Sequence, residues 1–530
     1  MNIDKNTRAF IKGSASVSIA VIITKIMGVL YKVPLSYILG DEGMGYFNSA
    51  YAIYGFLYVL CTSGVPKAIM LLLAENNAGK SRTDEYAMVR AGVALFMKIG
   101  VIITVINIIC APAIVNVIGS KKSLYTIISI APSIIFVSVS GVLRGCMNYY
   151  NKLSKIATSQ LLEALLKLIL GLALAYVGAA MKLDLCIISA LCVIGITLGS
   201  AISCSYLCIT FEKMFLNEKT GQSFSGGKTA LKRTLFKIAL PLSLGAALLN
   251  LSSLIDLGII MNKLLDLGMS ESEASAIYGN YTTLAIPMTN LVISVISPVM
   301  LAFLPRLAEM NLSGDSIGFS KSVKHMLYIN NAVAIPAATV FFLYAFDVLD
   351  VLFSVSSAAV GAQLLSTLSF GVVILSLVTV LNTALEARGK IKLTVISLLV
   401  GSIVKIVGNY TLIEKAGIIG APISTVLSYS VSAMISLVGF YNTGGGIGIL
   451  RIYLSDALLA MACFIPSYCT IYARGAFGGG VISVIISVSI SSILYYSVYL
   501  IRIFGFIDIR KMFNMHKKDV RRLDIQTNLE

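Results

Sequence analysis

Long apolar stretches follow one another along almost the whole chain. A helix needs about 20 apolar residues to cross the hydrocarbon core of a bilayer. Because lipid offers the backbone no hydrogen-bond partner, these stretches should be helices. We predict an all-α polytopic membrane protein with about fourteen transmembrane helices. The predicted spans are residues 13–38, 46–74, 88–118, 123–147, 153–181, 183–210, 235–262, 276–305, 326–346, 358–385, 391–413, 417–441, 452–473 and 479–505.

Two segments of the chain resemble each other at a fixed separation. Aligning 138–174 with 376–412 without a gap pairs eight identical residues, and each copy carries a lysine in the middle of an apolar helix, Lys167 and Lys405. A charged side chain at the bilayer centre costs roughly 2.5–3.5 kcal/mol on insertion scales, so a matched pair indicates a duplication. Six predicted spans separate the copies, which gives both halves the same orientation. Such repeats are typical of transporters in which one half rocks against the other.

The duplication divides the chain into two lobes and an extension. Residues 1–230 form a predicted N-terminal lobe of six helices and a basic connector. Residues 231–441 form a predicted C-terminal lobe of six more helices. Residues 442–530 add two helices and a basic tail.

Lysine and arginine are distributed unequally between the predicted loops. With the N-terminus inside, alternate loops and the tail hold 29 of the 41 basic residues, and the opposite loops hold six. The positive-inside rule therefore predicts a multi-pass plasma-membrane protein with both termini in the cytoplasm. Apolar residues make up 57% of the chain, so the net charge of +16 reports topology and contact with anionic lipids rather than binding of nucleic acid.

Five lysines lie within the predicted spans at places that suit an anion site. Lys25 and Lys32 are seven residues apart and share one face of the first helix, and Lys67 follows in the second. With Lys167 and Lys405, they are predicted to line an aqueous cavity and to bind a phosphate-bearing substrate. The alternative for Lys32 and Lys67 is that they snorkel to the membrane interface.

Two carboxylates within the predicted spans, Glu163 and Asp256, are candidates for a role beside these lysines. Glu163 stands four residues before Lys167, so an ion pair within the helix is an alternative role for that lysine. Lys405 has Gly401 at the equivalent position and needs a partner elsewhere. Asp256 and Glu163 are predicted to be counter-ions or ligands of a coupling ion.

Prolines inside the spans are predicted to bend their helices, because each removes a backbone hydrogen bond. A structural kink without any hinge motion is the alternative for each. The predicted hinge positions are Pro34, Pro66, Pro241 and Pro298, and Pro336 is a further kink.

The chain offers little for catalysis or for a cofactor. Its two histidines, His325 and His516, have no carboxylate at a useful spacing, and Cys204 with Cys208 would give a metal only two ligands. The glycine-rich stretch 221–229 has the wrong spacing for a P-loop. We predict no enzymatic activity, no metal, no cofactor and no ATP site, so that an ion gradient or the membrane potential should drive transport.

Several motifs resemble one family. The stretch from Lys25 to Glu75 is similar to the opening of the polysaccharide-transporter branch of the MOP superfamily, especially the MurJ-like lipid II flippases of Gram-positive bacteria and the stage V sporulation protein B family. Further motifs that fit the same group are VLRG at 142–145, SQLLE at 159–163, LID at 254–256, GMSESEASAIYG at 268–279 and IIGAPISTVLSYS at 418–430.

This resemblance implies a V-shaped pair of six-helix lobes around a central cavity. It implies export of an undecaprenyl-pyrophosphate-linked cell-wall saccharide precursor, lipid II or a related molecule, to the outer leaflet. Lys25 matches an arginine that Gram-negative relatives place at the cavity. The implied setting is peptidoglycan synthesis, cell shape or sporulation, with the lipid-linked saccharide and cell-wall synthesis machinery as partners. We expect a monomer.

The sequence is also compatible with three other functions. A multidrug/ion antiporter of the same superfamily would need uncompensated carboxylates for organic cations. A membrane enzyme would need a large outer loop with acid and base residues. A non-transporting scaffold would need no site. The sequence leaves open which saccharide is carried.

Overall fold

The computed structural model describes residues 5–76, 82–216, 228–353, 355–444, 448–473 and 481–506. These residues form helices and their connections, with no strand among them. The predicted basic tail beyond residue 506, His516 and most of the stretch 221–229 lie outside them. The helices are α1 (Lys5–Thr62), α2 (Val65–Asn76), α3 (Arg82–Ile118), α4 (Leu124–Ile130), α5 (Ser133–Tyr149), α6 (Leu153–Ala180), α7 (Leu185–Met214), α8 (Lys228–Asp266), α9 (Glu271–Asn280), α10 (Ile286–Leu312), α11 (Ser316–Leu343), α12 (Ala345–Asp350), α13 (Val355–Ala387), α14 (Ile391–Ala416), α15 (Gly420–Asn442), α16 (Ile449–Ala473) and α17 (Val481–Phe506).

The helices account for the fourteen predicted spans. Among the described residues, eleven stretches have the length and hydropathy of a membrane span, and two of these, Ile23–Ala74 and Ile391–Asn442, are 52 residues long. Each of the two is a pair of spans, and α8, with 39 residues, is one more. The predicted all-α membrane fold with about fourteen helices is therefore confirmed.

Glycines make the two tight reversals inside the long stretches. Gly40 has φ 63° within α1, and Gly417 has φ 60° between α14 and α15, a region that side chains with a Cβ rarely adopt. The rings of Tyr31 and Phe47, which stand on either side of Gly40 in the sequence, lie 5.9 Å apart. This contact shows that the chain folds back at Gly40.

The second predicted span is broken near its end. α1 ends at Thr62 and α2 begins at Val65, and a Cβ on the intervening Gly64 would lie 2.3 Å from the Ala239 carbonyl oxygen. The close approach of α8 thus requires glycine at this bend. Pro66 lies in the first turn of α2, where a missing N–H costs little, and not in the middle of a helix.

The other prolines, three predicted hinges and the predicted kink at Pro336, lie inside helices with no break at the proline itself. Pro34 is inside α1, Pro298 inside α10 and Pro336 inside α11. Pro241 lies within the range of α8. The backbone break in α1 is at Gly40, six residues beyond Pro34, and hinge motion at the prolines stays a prediction.

Equivalent contacts support the duplication. In the N-terminal lobe the hydroxyl of Ser203 on α7 donates to the Ser159 carbonyl on α6, at 2.8 Å. In the C-terminal lobe the hydroxyl of Ser432 on α15 donates to the Ser397 carbonyl on α14, at 2.9 Å. Ser159 and Ser397 are a matched pair of the sequence alignment, so the repeat extends to how the helices pack.

Among the described residues, the apolar core that the lobes share lies on one side. Met44, Ala274 and Phe353 belong to a core cluster that joins α1 to α8, α9 and α13. We call this side, which carries the turns at Gly40 and Gly417, the closed side. On the opposite side each lobe has a separate core, one around α2, α3, α5 and α7 and one around α10, α11, α13 and α15. This arrangement leaves room between the lobes away from the closed side.

Helix α8 belongs to both lobes. Leu235 and Ala239 near its start pack into the N-terminal core, whereas Leu257 and Leu264 near its end join the shared core. The predicted boundary at residue 231 assigns all but the first three residues of the helix to the C-terminal lobe, whereas its core contacts are divided between the lobes. The extra helices α16 and α17 pack against α11.

Candidate functional site

A cavity of about 460 Å³, the central cavity, lies between the lobes. Helices α1, α6, α8, α10 and α14 form its walls together with a short π-helical segment at residues 281–285. Four of the five predicted lysines line it, namely Lys25, Lys32, Lys167 and Lys405, and so does Asp256. Four ammonium groups and one carboxylate give the walls an excess of three positive charges. A water-filled cavity of this polarity attracts anions.

Lys25 has the least compensated charge of the four. It lies on an exposed stretch of α1 at the junction with a second cavity of about 390 Å³ in the N-terminal lobe. Within the described ranges no hydrogen bond or ion pair engages its ammonium group. Lys25 is therefore available to a ligand.

Lys32 faces inward and joins the lobes. Its ammonium donates to Asn48 Oδ1 and to the Thr282 carbonyl, each at 3.0 Å, and Asn48 in turn donates to Thr283 Oγ1 at 2.7 Å. The two threonines belong to the π-helical segment, whose altered register leaves carbonyls available to a tertiary donor. The alternative that Lys32 snorkels to the interface is wrong for this conformation.

Lys167 makes no ion pair with Glu163. Its ammonium donates to the Tyr51 hydroxyl at 3.0 Å and lies 4.3 Å from the centroid of the Tyr51 ring. Glu163 instead accepts from Arg144 Nη2 at 2.8 Å and from the Ser200 hydroxyl at 3.3 Å. The alternative of an ion pair within α6 is therefore wrong.

Lys405 finds its partner on another helix. Its ammonium is ion-paired with Asp256 of α8, and Asn409 Nδ2 donates to the other carboxylate oxygen at 2.6 Å. Asp256 thus acts as a counter-ion in this structure. The two lysines matched by the repeat consequently differ, because Lys167 meets a tyrosine and Lys405 meets a carboxylate.

Lys67 does not reach either cavity. It is exposed in the first turn of α2, beyond the bend at Gly64, and lines neither of the two cavities. The bend reorients α2 relative to α1, so that Lys67 points away from the cavities. Its position directly after Pro66 in the sequence could not predict this. Snorkelling to the interface fits Lys67 better than substrate contact.

Two groups of functional side chains were not predicted from the sequence. Arg144 lies within the predicted span 123–147 and the VLRG motif but was assigned no role, and the structure buries it in α5 against Glu163. Tyr51, Tyr54 and Tyr58 line the cavity of the N-terminal lobe. Their spacing of three and four residues places them on one helix face and could have indicated this wall.

Hydrogen bonds hold the closed side together above the central cavity. Asp41 accepts from Asn280 Nδ2 at 3.1 Å and from the Ser357 hydroxyl at 2.6 Å. A Cβ on Gly45 would lie 2.0 Å from the Ser275 carbonyl oxygen, so α1 and α9 touch through their backbones. The cavity is closed on this side by direct contact between the lobes.

No metal centre emerges from the described part of the chain, in which no three His, Cys, Asp or Glu side chains come together to hold an ion. The central cavity holds lysines, tyrosines and amides, which suit an anion better than a metal. The arrangement can bind and release a negatively charged group.

Comparison with known proteins gives the same fold and a consistent set of relatives. A family model described as "Polysaccharide biosynthesis protein" matches residues 10–311. "Lipid II flippase MurJ" of Bacillus subtilis (strain 168) is 21% identical over 447 residues, 80% of this chain and 81% of the relative. "Stage V sporulation protein B" of the same organism is 22% identical over 306 residues, which spans 57% of this chain and only 58% of that protein.

A solved structure described as "Lipid II flippase MurJ, inward closed conformation" superimposes with a TM-score of 0.70 at 14% identity, covering 93% of this chain and 99% of the other. At that identity the superposition shows the fold. Together these matches confirm the resemblance to MurJ-like members of the MOP superfamily and the predicted two-lobed architecture. They also support a multi-pass protein of the plasma membrane and a transporter rather than an enzyme.

Proposed function

The chain belongs to the polysaccharide biosynthesis protein family, and on this premise we propose that it is a flippase for an undecaprenyl-pyrophosphate-linked cell-wall saccharide precursor. It carries the head group from the cytoplasmic to the outer leaflet by alternating access, with both termini in the cytoplasm. One relative is named as a flippase of lipid II, and a related lipid-linked saccharide has the same chemistry.

One observation carries this proposal, namely the four lysines that converge on the central cavity. A pyrophosphate presents several anionic oxygens, and lysine ammonium groups bind such oxygens through compact, adjustable charge. Three of the lysines meet no carboxylate in the described ranges, so their charge is available. The prenyl chain stays in lipid, where α1 and α10 expose Ile26, Leu30, Val295 and Val299.

The closed side supports a direction of transport. The distribution of basic residues assigns the turns at Gly40 and Gly417 to the outer face of the membrane. The shared core and the hydrogen bonds of Asp41 then close the outer end, and the separated cores leave room for the substrate to enter from the cytoplasmic end. Rocking of the lobes then opens the outer end of the cavity and closes the cytoplasmic end.

The ion pairs of the two carboxylates argue that the protein does not export organic cations. Asp256 is neutralised by Lys405 and Glu163 by Arg144, so neither presents an uncompensated negative charge to a cation. A cationic drug would meet the three excess positive charges instead. The antiporter alternative therefore has no support from this cavity.

The purified protein in liposomes should flip a fluorescent prenyl-pyrophosphate saccharide. Outward movement of an anion is favoured by about 2.3 kcal/mol per charge per 100 mV when the inside is negative, which corresponds to at most about fiftyfold in rate per net charge moved. We expect flipping to accelerate when such a potential is imposed with valinomycin and potassium. Protein-free liposomes are the control, and an absence of flipping in either condition would refute the flippase.

Filling the central passage should stop transport without unfolding the protein. Gly28 lines both cavities, and a Cβ at this position would meet nothing within 4 Å. Gly28→Leu should therefore fold and even gain up to about 1 kcal/mol of helix stability, while flipping falls at least about tenfold because the side chain occupies the passage. Gly258→Leu is the matched control, since Gly258 also has open space in a helix but lines neither cavity. Equal flipping by the two variants would place the substrate elsewhere.

A further inference from the structure

The second cavity, which we call the N-lobe cavity, is lined by polar and aromatic side chains that have no role in the proposed binding of the pyrophosphate by lysines. It adjoins the central cavity, since Lys25 and Lys167 line both, and it continues between α1, α6 and α7. Its volume of about 390 Å³ lies within the range of small-molecule sites. Beyond the two lysines, its polar lining comes mainly from tyrosines, a glutamine and a carboxylate.

One wall of the N-lobe cavity is aromatic. The ring centroids of Tyr51 and Tyr54 are 5.7 Å apart, and those of Tyr54 and Tyr58 are 5.6 Å apart, so the rings form a continuous row along α1. A tyrosine ring offers an apolar face and a polar hydroxyl. A sugar ring has the complementary character, with apolar C–H faces and polar hydroxyls at its edge. The row is suited to a saccharide lying against it.

Helix α6 contributes hydrogen-bonding groups with unused capacity to the same cavity. The buried Oε1 of Gln160 has no hydrogen-bond partner among the residues that the structure describes. Buried acceptors are nearly always satisfied in folded proteins, which indicates that a ligand or water completes this one. Glu163 is held by Arg144 and Ser200 through one bond to each oxygen, and each oxygen can accept another.

The electrostatic character changes along the passage. Lys25 and Lys167 make the junction of the cavities cationic, whereas Arg144 neutralises Glu163 further in. An anionic group is therefore favoured at the junction and an uncharged polar group beyond it. A sugar attached to a pyrophosphate has this order of charges.

We propose that the N-lobe cavity holds the first saccharide unit of the lipid-linked substrate. The pyrophosphate lies at the junction beside Lys167 and Tyr51, the sugar ring lies against Tyr54 and Tyr58, and Gln160 with Glu163 accept hydrogen bonds from its hydroxyl or N-acetyl N–H groups. This inference rests on the proposed flippase function and adds the part of the protein that recognises the saccharide.

Gln160→Met tests the assignment, because it keeps the length of the side chain and removes the amide. Flipping is measured in liposomes with two probes, prenyl pyrophosphate bearing one N-acetylated hexose and prenyl pyrophosphate without a sugar. We expect about fivefold slower flipping of the first probe and unchanged flipping of the second, since the lost contact is a hydrogen bond to the sugar. The thermal stability should be unchanged or higher, because an unsatisfied buried acceptor has been removed.

Gln363→Met, at an exposed glutamine of α13, is the matched control and should alter neither probe. Equal slowing of both probes by Gln160→Met would overturn the saccharide assignment and leave the flippase intact. Failure of the unmodified protein to flip either probe would instead refute the proposed function. If Gln160→Met did not fold, Gln160→Asn keeps an amide but shortens its reach, and the same selective loss is expected.

Discussion

Lys25→Ala lowers flipping of a prenyl-pyrophosphate saccharide to near background while the protein stays folded and inserted. The ammonium lines both cavities and is engaged by no described side chain, so its removal strands no buried partner. A charge-assisted hydrogen bond to a ligand contributes about 1.5–3 kcal/mol, and loss of two of these, or of one at the upper value, corresponds to about a hundredfold in rate or more. The measurement is the initial rate per folded molecule in liposomes.

Two further substitutions separate charge from shape at this position. Lys25→Arg should retain much of the activity, because charge and reach are kept. Lys25→Glu should be worse than alanine, since a like charge within about 4–6 Å repels the pyrophosphate. Lys98→Ala is the matched control, because Lys98 is an exposed lysine within α3 that lines neither cavity. A Lys25→Ala protein with lowered thermal stability and near-normal flipping would remove Lys25 from the site.

Hydropathy and duplication were enough to predict the architecture. A stretch of apolar residues reports the membrane span directly, because the bilayer fixes its length. The matched lysines were informative for the same reason, since a charge at mid-depth must find water or a partner. Lys25, Lys32, Lys167 and Lys405 accordingly lie at one cavity.

Partners of the buried charges could not be predicted in the same way. Glu163 is four residues from Lys167 and 19 from Arg144 in the sequence, and the nearer residue is the obvious candidate. The fold decides otherwise, because α5 packs its buried face against α6 and brings the guanidinium to the carboxylate. Helical spacing states which residues share a face, and tertiary packing decides what that face meets.

The direction in which the Lys67 side chain points could not be predicted from the sequence either. Its depth in the predicted span was compatible with a cavity role, but the bend at Gly64 reorients the following helix. At that bend the Ala239 carbonyl oxygen of α8 comes within 2.3 Å of where a Cβ on Gly64 would lie, a contact between residues 175 positions apart in the chain. A single sequence carries no signal for such an approach except the glycine itself.

The buried pair of Lys405 and Asp256 should dominate the stability of the contact between α8 and α14. Both side chains are mostly buried, with exposed fractions of 17% and 9%, and Asn409 also donates to the carboxylate. Lys405→Met leaves that carboxylate buried with only neutral partners, and breaking a buried pair in this way costs about 3–5 kcal/mol. We expect a marked fall in thermal stability, measured by unfolding in detergent. Asp256→Asn should be similarly destabilising, because it strands the ammonium.

The double variant Lys405→Met/Asp256→Asn distinguishes a counter-ion from a coupling-ion ligand. If Asp256 serves only to neutralise Lys405, removing both charges together should restore most of the stability, because neither charge is left unpaired. Flipping by the double variant should then keep its dependence on membrane potential and on the cations in the buffer. If Asp256 instead binds a coupling ion during the cycle, the double variant should fold well yet lose its response to that ion's gradient. Restored stability together with an unchanged ion response would show that Asp256 has a structural role as the counter-ion of Lys405. Anion binding would then fall to Lys25, Lys32 and Lys167, which have no carboxylate partner among the described residues.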